Sequence, residues 1–336
     1  MKVVITGGAG FLGRRLARAL LQQGTLMNAG DEAGAINTLV LFDVVPAELP
    51  GVSDARLRIE TGDITDRTRL AQIIDEATAS VFHFAAVVSA AAEADFDLGM
   101  RINLTGTLAV LDACRALMHP PRVIFTSSVA SFGGDLPEVV DDTTPLTPQS
   151  SYGTQKAIGD LLINEYTRKG FIDGRVLRLP TIVVRPGKPN QAASSFASGI
   201  IREPLSGIDA ICPVTAETRV AILSPRRAVE AFLHAHDLPA SAWGYQRSIN
   251  VPALSVRVRD MVEALQRVAA GRPLGRIHWQ PDAGIQRIVG SWPGMFTSAR
   301  AQRLGFQTNA SMDEIIRAYI EDDLLAAQPP SSSSGG

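Results

Sequence analysis

The stretch VVITGGAGFLG, residues 3–13, joins an apolar strand to three glycines that are spaced three residues apart. Val3, Val4 and Ile5 are β-branched, as expected of a buried parallel strand, and apolar residues recur at helical spacing from Phe11 to Leu21. A strand, a tight turn and a helix therefore follow one another, and the helix amino terminus offers free N–H groups to an anion. This order predicts a turn that binds the phosphates of a dinucleotide.

Each of the three glycines has a separate steric role in such a turn. Gly7 can take the positive φ that the turn requires, and Gly10 lets the backbone approach a pyrophosphate. Gly13 lets the helix pack closely against the strand.

Composition limits the class of protein. The 336 residues carry a net charge of −2, which gives no basic surface for a nucleic acid partner. The first strand begins at Lys2, and the longest apolar run, residues 81–92, is too short to cross a bilayer and contains His83. We therefore expect a cytoplasmic protein with no membrane partner.

The residues that could bind a metal are poorly spaced for that purpose. Cys114 and Cys212 are far apart, which is typical of reduced, buried thiols. His234 and His236 are two residues apart on a predicted helix and therefore point to different faces. The sequence predicts no metal site.

Five further apolar runs, at 38–43, 57–59, 80–85, 122–128 and 175–180, alternate with helical stretches. This alternation indicates an α/β fold with a Rossmann-type, doubly wound parallel sheet. Residues 24–37 are rich in Gly, Asn and Asp and are predicted to form a surface loop. A helical region at 91–118 has Asn103 and Gly106 in its interior, which predicts a local irregularity there.

Two acidic residues follow predicted strands. Asp43 ends the strand at 38–43, where a carboxylate accepts hydrogen bonds from ribose hydroxyls and repels a 2′-phosphate. NAD is therefore expected in preference to NADP. Asp63 follows the next strand and is placed to accept a hydrogen bond from the adenine amino group, while Asp66 is expected to cap a helix.

Three hydroxyl residues and a tyrosine–lysine pair indicate a catalytic site. Thr126, Ser127 and Ser128 end a predicted parallel strand, where ligands bind in open α/β sheets. Tyr152 and Lys156 are four residues apart at the start of a helix and share one face. The ammonium would lower the pKa of the phenol and make Tyr152 a general base.

The motifs GGAGFLG at 7–13, GDITD at 62–66, HFAA at 83–86, TSS at 126–128, YGTQK at 152–156 and RLP at 178–180 occur together and in order. With them the chain resembles the extended short-chain dehydrogenase/reductase superfamily. The resemblance implies that Ser128, Tyr152 and Lys156 are catalytic and that Asn103 supports them. It also implies NAD contacts at Gly7, Gly10, Phe11, Leu12, Asp43, Asp63, Ile64, Ala85, Ser127, Tyr152 and Lys156.

Two positions depart from the sugar-nucleotide branch of that superfamily. Thr181 stands where an Asn is usual, and residues 220–227, VAILSPRR, lack the usual acidic VxD pattern. Phrases such as FTSSVASFG at 125–133 are instead similar to the D-erythronate dehydrogenases of bacteria. That resemblance implies NAD-dependent oxidation of the C2 hydroxyl of a four-carbon sugar acid.

A sugar acid needs a cation for its carboxylate, and a guanidinium can hold one with two hydrogen bonds. Arg185 follows the sixth predicted strand and is our first candidate. Further expected substrate contacts are Ser89, Ser128, Thr181, Lys188 and Asn190.

The pattern of strands loosens after residue 186, and this predicts the domain boundaries. We expect an NAD-binding domain at 1–186, a smaller, mainly substrate-binding α/β domain at 187–328 with segments that return to the first, and a disordered tail at 329–336. The resemblance implies a homodimer through the helices before Met118 and after Tyr152. Apolar positions such as Leu161 fit packing on the sheet equally well.

Two other functions stay open on the sequence. The chain could be an epimerase, dehydratase or reductase that acts on a nucleotide sugar, or a non-catalytic NAD-binding regulatory protein. The presence of Ser128, Tyr152 and Lys156 together argues against the second, because a binding module needs no tyrosine base.

Overall fold

The computed structural model of the chain describes residues 1–187 and 192–325. The expected tail at 329–336 lies outside these residues. The strands are β1 (Lys2–Thr6), β2 (Thr25–Met27), β3 (Ala33–Ala35), β4 (Thr38–Asp43), β5 (Leu57–Thr61), β6 (Thr78–His83), β7 (Arg122–Ser128), β8 (Asp173–Leu179), β9 (Thr181–Ile182), β10 (Ala210–Cys212), β11 (Arg219–Leu223), β12 (Ser248–Asn250), β13 (Leu254–Arg257) and β14 (Ile277–Trp279).

The helices flank and connect these strands. They are α1 (Phe11–Gln23), α2 (Arg67–Ile73), α3 (Ser89–Ala94), α4 (Phe96–Gly99), α5 (Gly106–Arg115), α6 (Ser151–Arg168), α7 (Ser195–Leu205), α8 (Pro225–Asp237), α9 (Ala240–Trp243), α10 (Val258–Ala269), α11 (Ala283–Gly290), α12 (Ala299–Arg303) and α13 (Met312–Tyr319). Short π-helical segments cover Met100–Thr105 and Ile320–Leu324, and a 3₁₀ turn covers Val129–Ser131.

Seven strands form one sheet in the order β12-β8-β7-β6-β1-β4-β5, and every adjacent pair is parallel. The chain runs outward in one direction from β1 to β5 and in the other from β6 to β12. The order therefore reverses between β1 and β6, and ligands of such sheets bind outside the carboxyl ends of the strands at that point. The predicted doubly wound sheet is confirmed.

Apolar side chains cover both faces of this sheet. One core contains Val3, Ile5 and Leu41 with residues of α1 and α8, and the other contains Val4 and Val81 with residues of α2, α5 and α6. Alternate residues of β1 thus point to opposite faces and are buried on both, as in parallel strands between two layers of helices.

Residues 24–37 were predicted to form a surface loop, and this prediction was wrong for the six residues of β2 and β3. β2 and β3 form an antiparallel hairpin that places Leu26 in the core. The polar residues lie at its tip, where the Asn28 side chain accepts hydrogen bonds from the backbone of Gly30 and Glu32. The hairpin is stabilised from outside the segment, since the Asp237 carboxylate accepts a hydrogen bond from the Met27 N–H.

The long helical region predicted at 91–118 is divided into shorter helices. The chain breaks at Asp95, whose side chain accepts a hydrogen bond from the Leu98 N–H, and then passes through the π-helical segment that contains Asn103. The irregularity expected around Asn103 is therefore present.

A second, smaller apolar core lies in the carboxyl-terminal half of the chain. It is built around the three-stranded sheet β13-β11-β9 with α7, α10 and α13. Strand β12 and helix α8 come from the same half of the chain but belong to the large sheet and its core. Within residues 1–187 and 192–325, no helix is long and apolar enough to span a membrane.

Candidate active site

The turn after β1 is too crowded for side chains at two of its glycines. Gly7 has a φ of 71°, and a Cβ added there would lie 2.7 Å from the Ala85 backbone nitrogen. A Cβ at Gly13 would lie 2.5 Å from the Gly7 carbonyl oxygen. The amino terminus of α1 is thus held directly against the turn, which is the arrangement a pyrophosphate needs.

Asp43 is held at the edge of this turn. One of its carboxylate oxygens accepts a hydrogen bond from the Ala9 N–H at 3.0 Å, and the other accepts one from the Val44 N–H at 2.8 Å. Asp43 also borders a cavity of about 380 Å³ at the carboxyl ends of β1 and β4. The residues that line this cavity include Gly7, Gly10, Phe42, Asp43, Gly62, Ile64, Ala85, Val87 and Arg101.

Asp63 has other partners. Its Oδ1 accepts hydrogen bonds from the backbone and hydroxyl of Thr65, and its Oδ2 forms an ion pair of 2.7 Å with Arg101. The backbone hydrogen bond from Thr65 is the main cause of the lowered pKa of this carboxyl. Its neighbours Gly62 and Ile64 line the cavity, so the adenine contact predicted for Asp63 stays a prediction.

A second cavity, of about 370 Å³, adjoins the first and shares Gly7, Gly10, Phe84 and Ala86 with it. Most residues predicted for catalysis and substrate binding meet here, although they come from separate segments of the chain. They are Ser89, Ser128, Tyr152, Lys156, Thr181 and Arg185, and the predicted NAD contacts Phe11, Leu12 and Ser127 line the same cavity. Lys188 and Asn190, which were predicted as substrate contacts, lie outside the described residues.

Close packing brings the ends of β7 and α6 together. Ser128 ends β7, and its hydroxyl accepts a hydrogen bond from the Ala130 N–H. Ser150 caps α6, since its hydroxyl accepts a hydrogen bond from the Gly153 N–H. A Cβ at Gly153 would lie 2.0 Å from the Ala130 carbonyl oxygen, so the first turn of α6, which carries Tyr152, sits directly on the turn after Ser128.

Lys156 is buried beneath this site. Its ammonium donates a hydrogen bond of 2.8 Å to the Thr126 carbonyl and lies 4.8 Å from the centre of the Phe125 ring. Burial lowers the pKa of Lys156 to about 8, against the opposing charge of Asp160. The ammonium lies 5.7 Å from the centre of the Tyr152 ring.

Three features of its surroundings change the pKa of the Tyr152 phenol. Loss of solvent raises the pKa of its phenol, while the charge of Arg185 and a hydrogen bond with Ser128 both lower it. The sequence assigned the lowering effect to Lys156. The cation that acts on the phenol in the structure is Arg185, which follows β9 and lines the same cavity.

Asn103 does not line either cavity but connects their walls. Its amide is hydrogen-bonded to both the N–H and the carbonyl of Val87, at 2.7 and 3.0 Å, and donates to the Gln155 side chain at 2.7 Å. Val87 follows β6 in the wall of the first cavity, and Gln155 precedes Lys156 on α6. Asn103 therefore fixes the distance between the cofactor wall and the catalytic helix.

Sequence reasoning missed several residues that complete the second cavity. The largest is Trp292, which follows α11 and lines the cavity with Tyr152 although the two residues are 140 positions apart in the sequence. Phe84, Val88 and Ser194 were also missed. Phe84 belongs to the motif HFAA at 83–86, in which only Ala85 was assigned a contact, whereas no quoted motif contains Trp292, Val88 or Ser194.

Comparison with known proteins agrees with this geometry. Residues 3–246 match the model of the NAD dependent epimerase/dehydratase family. The chain belongs to this family. NAD is therefore its cofactor, and the two adjoining cavities with the crowded turn between them fit the two halves of a dinucleotide.

The family member from Cupriavidus necator described as D-erythronate dehydrogenase is 58% identical over 97% of this chain and 100% of its own length. A Haemophilus influenzae protein of the same description is 46% identical over 96% of this chain and 100% of its own. A solved structure described as the nucleoside-diphosphate-sugar epimerase from Agrobacterium tumefaciens is 40% identical, with a TM-score of 0.89 over 96% of this chain and 94% of that one.

Proposed function

We propose that the chain is an NAD-dependent dehydrogenase that oxidises the C2 hydroxyl of D-erythronate, giving 2-oxo-D-erythronate, NADH and a proton. Two full-length relatives described as D-erythronate dehydrogenase, at 58% and 46% identity, support this substrate. The observation that carries the proposal is Arg185, a half-buried cation in the cavity that contains Tyr152 and Ser128.

Arg185 is held rigidly. Its backbone N–H donates to the Ser198 hydroxyl at 3.0 Å, and its carbonyl accepts from the Arg202 guanidinium at 2.7 Å. Its own guanidinium donates to the Ile182 carbonyl and the Ser194 hydroxyl, which are neutral. Such a fixed guanidinium can hold a carboxylate with little loss of side-chain freedom.

Among the described residues, no carboxylate forms an ion pair with Arg185. Burial lowers the pKa of this guanidinium, because a buried charge without a counter-ion is unfavourable. The carboxylate of a sugar acid would provide the counter-ion. A neutral sugar or alcohol of the same size would leave the charge uncompensated.

The chemistry follows from the neighbouring groups. Tyr152, as the phenolate, takes the proton of the C2 hydroxyl, and Ser128 donates a hydrogen bond that orients the reacting oxygen. NAD⁺, when bound at the glycine turn, would supply the acceptor for the C2 hydride. Lys156 lies below the phenol, with its ammonium 5.7 Å from the centre of the Tyr152 ring, while the charge of Arg185 favours loss of the Tyr152 proton.

A nucleotide-sugar substrate, suggested by the description of the Agrobacterium relative, is less well supported. Thr181 lines the cavity where the sugar-nucleotide branch has an amide. Arg226 and Arg227, in the segment that grips the diphosphate in that branch, instead form ion pairs with Glu321, Asp322 and Glu230. These pairs use the cations that a diphosphate would need.

We also propose a homodimer through α5 and α6. Leu161 on α6 is 70% exposed and Met118, after α5, is 82% exposed, whereas Leu162 packs against the core of the large sheet. The exposed side chains leave an apolar surface that a second copy would cover. Measurement of the molar mass in solution, for the native chain and for Leu161→Arg, tests this arrangement.

A substrate panel tests the proposed activity. NADH formation is followed with D-erythronate, with five- and six-carbon aldonic acids, and with UDP-glucose, at equal concentrations. We expect turnover of D-erythronate and none of UDP-glucose. Conversion of the nucleotide sugar without net NADH formation would return the chain to the epimerases, and silence on all substrates with NADH still bound would favour a regulatory protein.

A further inference from the structure

Trp292 lies where two cavities meet. It lines the active-site cavity together with Tyr152 and Arg185, and it also lines a separate cavity of about 300 Å³ near the start of β11. Among the described residues, no other residue borders both cavities. Trp292 is therefore the part of the wall that the two cavities have in common.

This wall is fixed from several sides. The backbone N–H of Trp292 donates to the Val289 carbonyl at the end of α11. The Ser255 hydroxyl donates to the Gly294 carbonyl at 2.6 Å. Val140 pairs with the backbone of Met295 and Thr297 on both its N–H and its carbonyl. Because Val140 belongs to the loop between Ser128 and Tyr152, the wall is attached to the segment that carries the catalytic groups.

The 300 Å³ cavity near β11 has four polar side chains in its lining. Glu138, Thr218, Arg219 and Gln286 line it, and the Thr218 and Gln286 side chains are hydrogen-bonded to each other. Within the described part of the chain, Arg219 has no ion-pair partner. Side chains of this kind suit the hydroxyl groups of a polyol chain better than they suit an apolar ligand.

We propose that Trp292 sets the maximum length of the sugar acid by closing the active-site cavity against this polar cavity. The inference rests on the proposed function, in which Arg185 holds C1 and Tyr152 reacts at C2. The rest of the carbon chain must then fit within the space that the indole leaves. A smaller side chain at 292 would join the two cavities and admit longer acids, with Thr218, Arg219 and Gln286 as partners for the added hydroxyls.

The test compares chain-length preference in three variants. Trp292→Ala and Trp292→Phe reduce the wall to different extents, and Trp279→Ala is a matched control, because Trp279 lies on β14 and does not line the active-site cavity. For each protein kcat/KM is measured with D-erythronate and with five- and six-carbon aldonic acids of the same configuration at C2. Thermal unfolding and NADH binding show which variants are folded.

We expect the ratio of kcat/KM for the six-carbon acid to that for D-erythronate to rise about tenfold or more in Trp292→Ala. The rise should be smaller in Trp292→Phe and absent in Trp279→Ala. A second exchange, Arg219→Ala in the Trp292→Ala background, should remove part of the gain for the longest acid while leaving D-erythronate unaffected.

Two results would overturn the inference, and they are distinguishable. An unchanged ratio in a folded Trp292→Ala that still oxidises D-erythronate would exclude the length limit and leave the proposed function intact. A native chain that forms no NADH with D-erythronate would overturn both. If Trp292→Ala does not fold, the ratio in Trp292→Phe decides, and no rise there excludes the limit.

Discussion

Tyr152 and Arg185 interact electrostatically across the active-site cavity. Burial raises the pKa of the Tyr152 phenol, and the positive charge of Arg185 opposes that rise. The interaction is mutual, since the phenolate charge of Tyr152 acts to raise the pKa of the Arg185 guanidinium. One residue is therefore placed to hold the acid and to favour the catalytic base.

Replacement of Arg185 by Gln should have two effects. Loss of a charge-assisted hydrogen bond, on the order of 1.5–3 kcal/mol, should raise the KM for D-erythronate roughly 10- to 100-fold and leave the KM for NAD unchanged. Loss of the charge should raise the pKa of Tyr152, so the rise of kcat/KM with pH should move to higher pH.

Arg168→Gln is the matched control, because Arg168 is exposed at the end of α6 and pairs only with Glu165 on the same helix. Steady-state kinetics over a range of pH checks both effects. An unchanged KM for the acid in Arg185→Gln would exclude this residue as the carboxylate site.

Tyr152→Phe should reduce kcat by at least about 10²-fold, because it removes the general base and keeps the ring. NADH binding, followed by nicotinamide fluorescence, should be retained. Thr154→Val is the control, because Thr154 is an exposed residue of the same helix, α6, and its substitution keeps Tyr152. If the Phe variant keeps its turnover, another group takes the proton.

Asp43→Ala should weaken discrimination between the two nicotinamide cofactors. The carboxylate is held beside the glycine turn by Ala9, where it can accept from ribose hydroxyls and repel a phosphate. We expect the ratio of kcat/KM for NAD to that for NADP to fall about tenfold or more. Asp66→Asn is the control, since Asp66 only caps α2, and an unaltered ratio in Asp43→Ala would contradict the assignment.

His83 predicts a pH dependence of stability. Thr107 donates to the Asn103 carbonyl and so accepts from His83 Nε2, which leaves Nδ1 to accept from the Thr6 hydroxyl. Burial, with the Lys156 charge, lowers the pKa of this neutral imidazole from 6.5 to about 3. The unfolded chain therefore binds the additional proton, and stability is lost as the pH falls from 6.5 towards 3.

Urea unfolding at pH 7 and pH 5 measures this loss. Between pH 7 and pH 5, His83 should lower the free energy of unfolding by about 2 kcal/mol, from roughly 1.4 kcal/mol for each pH unit below its unfolded pKa of 6.5. The native chain should lose this stability between pH 7 and pH 5, and His83→Gln should not. The difference in unfolding free energy between the two chains should therefore be smaller at pH 5. His278→Gln, at an exposed position, should leave the difference unchanged. A constant difference for His83→Gln would show that His83 is protonated in the folded chain.

The features that depend on local sequence were predictable. The turn at Gly7 to Gly13, strand β7 and the Ser150 cap of α6 each follow from a few adjacent residues. The carboxyl ends of parallel strands share one edge of a sheet, so Ser128 and Asp43 could be assigned to that edge before the fold was known.

Features that depend on distant contacts were not predictable. The hairpin of β2 and β3 is held by Leu26 in the core and by Asp237, which is more than half the chain away. Trp292 lies at the active site in a segment that Val140 and Ser255, both distant in the sequence, hold by hydrogen bonds. The cation that acts on Tyr152 is likewise brought there by β9 and α7 rather than by its position in the sequence.

The most direct test of the proposed reaction is the fate of the hydrogen at C2. D-Erythronate that carries deuterium at C2 is incubated with the native chain and NAD, and the resulting NADH and acid are analysed by mass spectrometry. The proposed mechanism predicts one deuterium in the NADH and a 2-oxo acid without deuterium. NADH without deuterium would show oxidation at another carbon, and absence of NADH would contradict the proposed function.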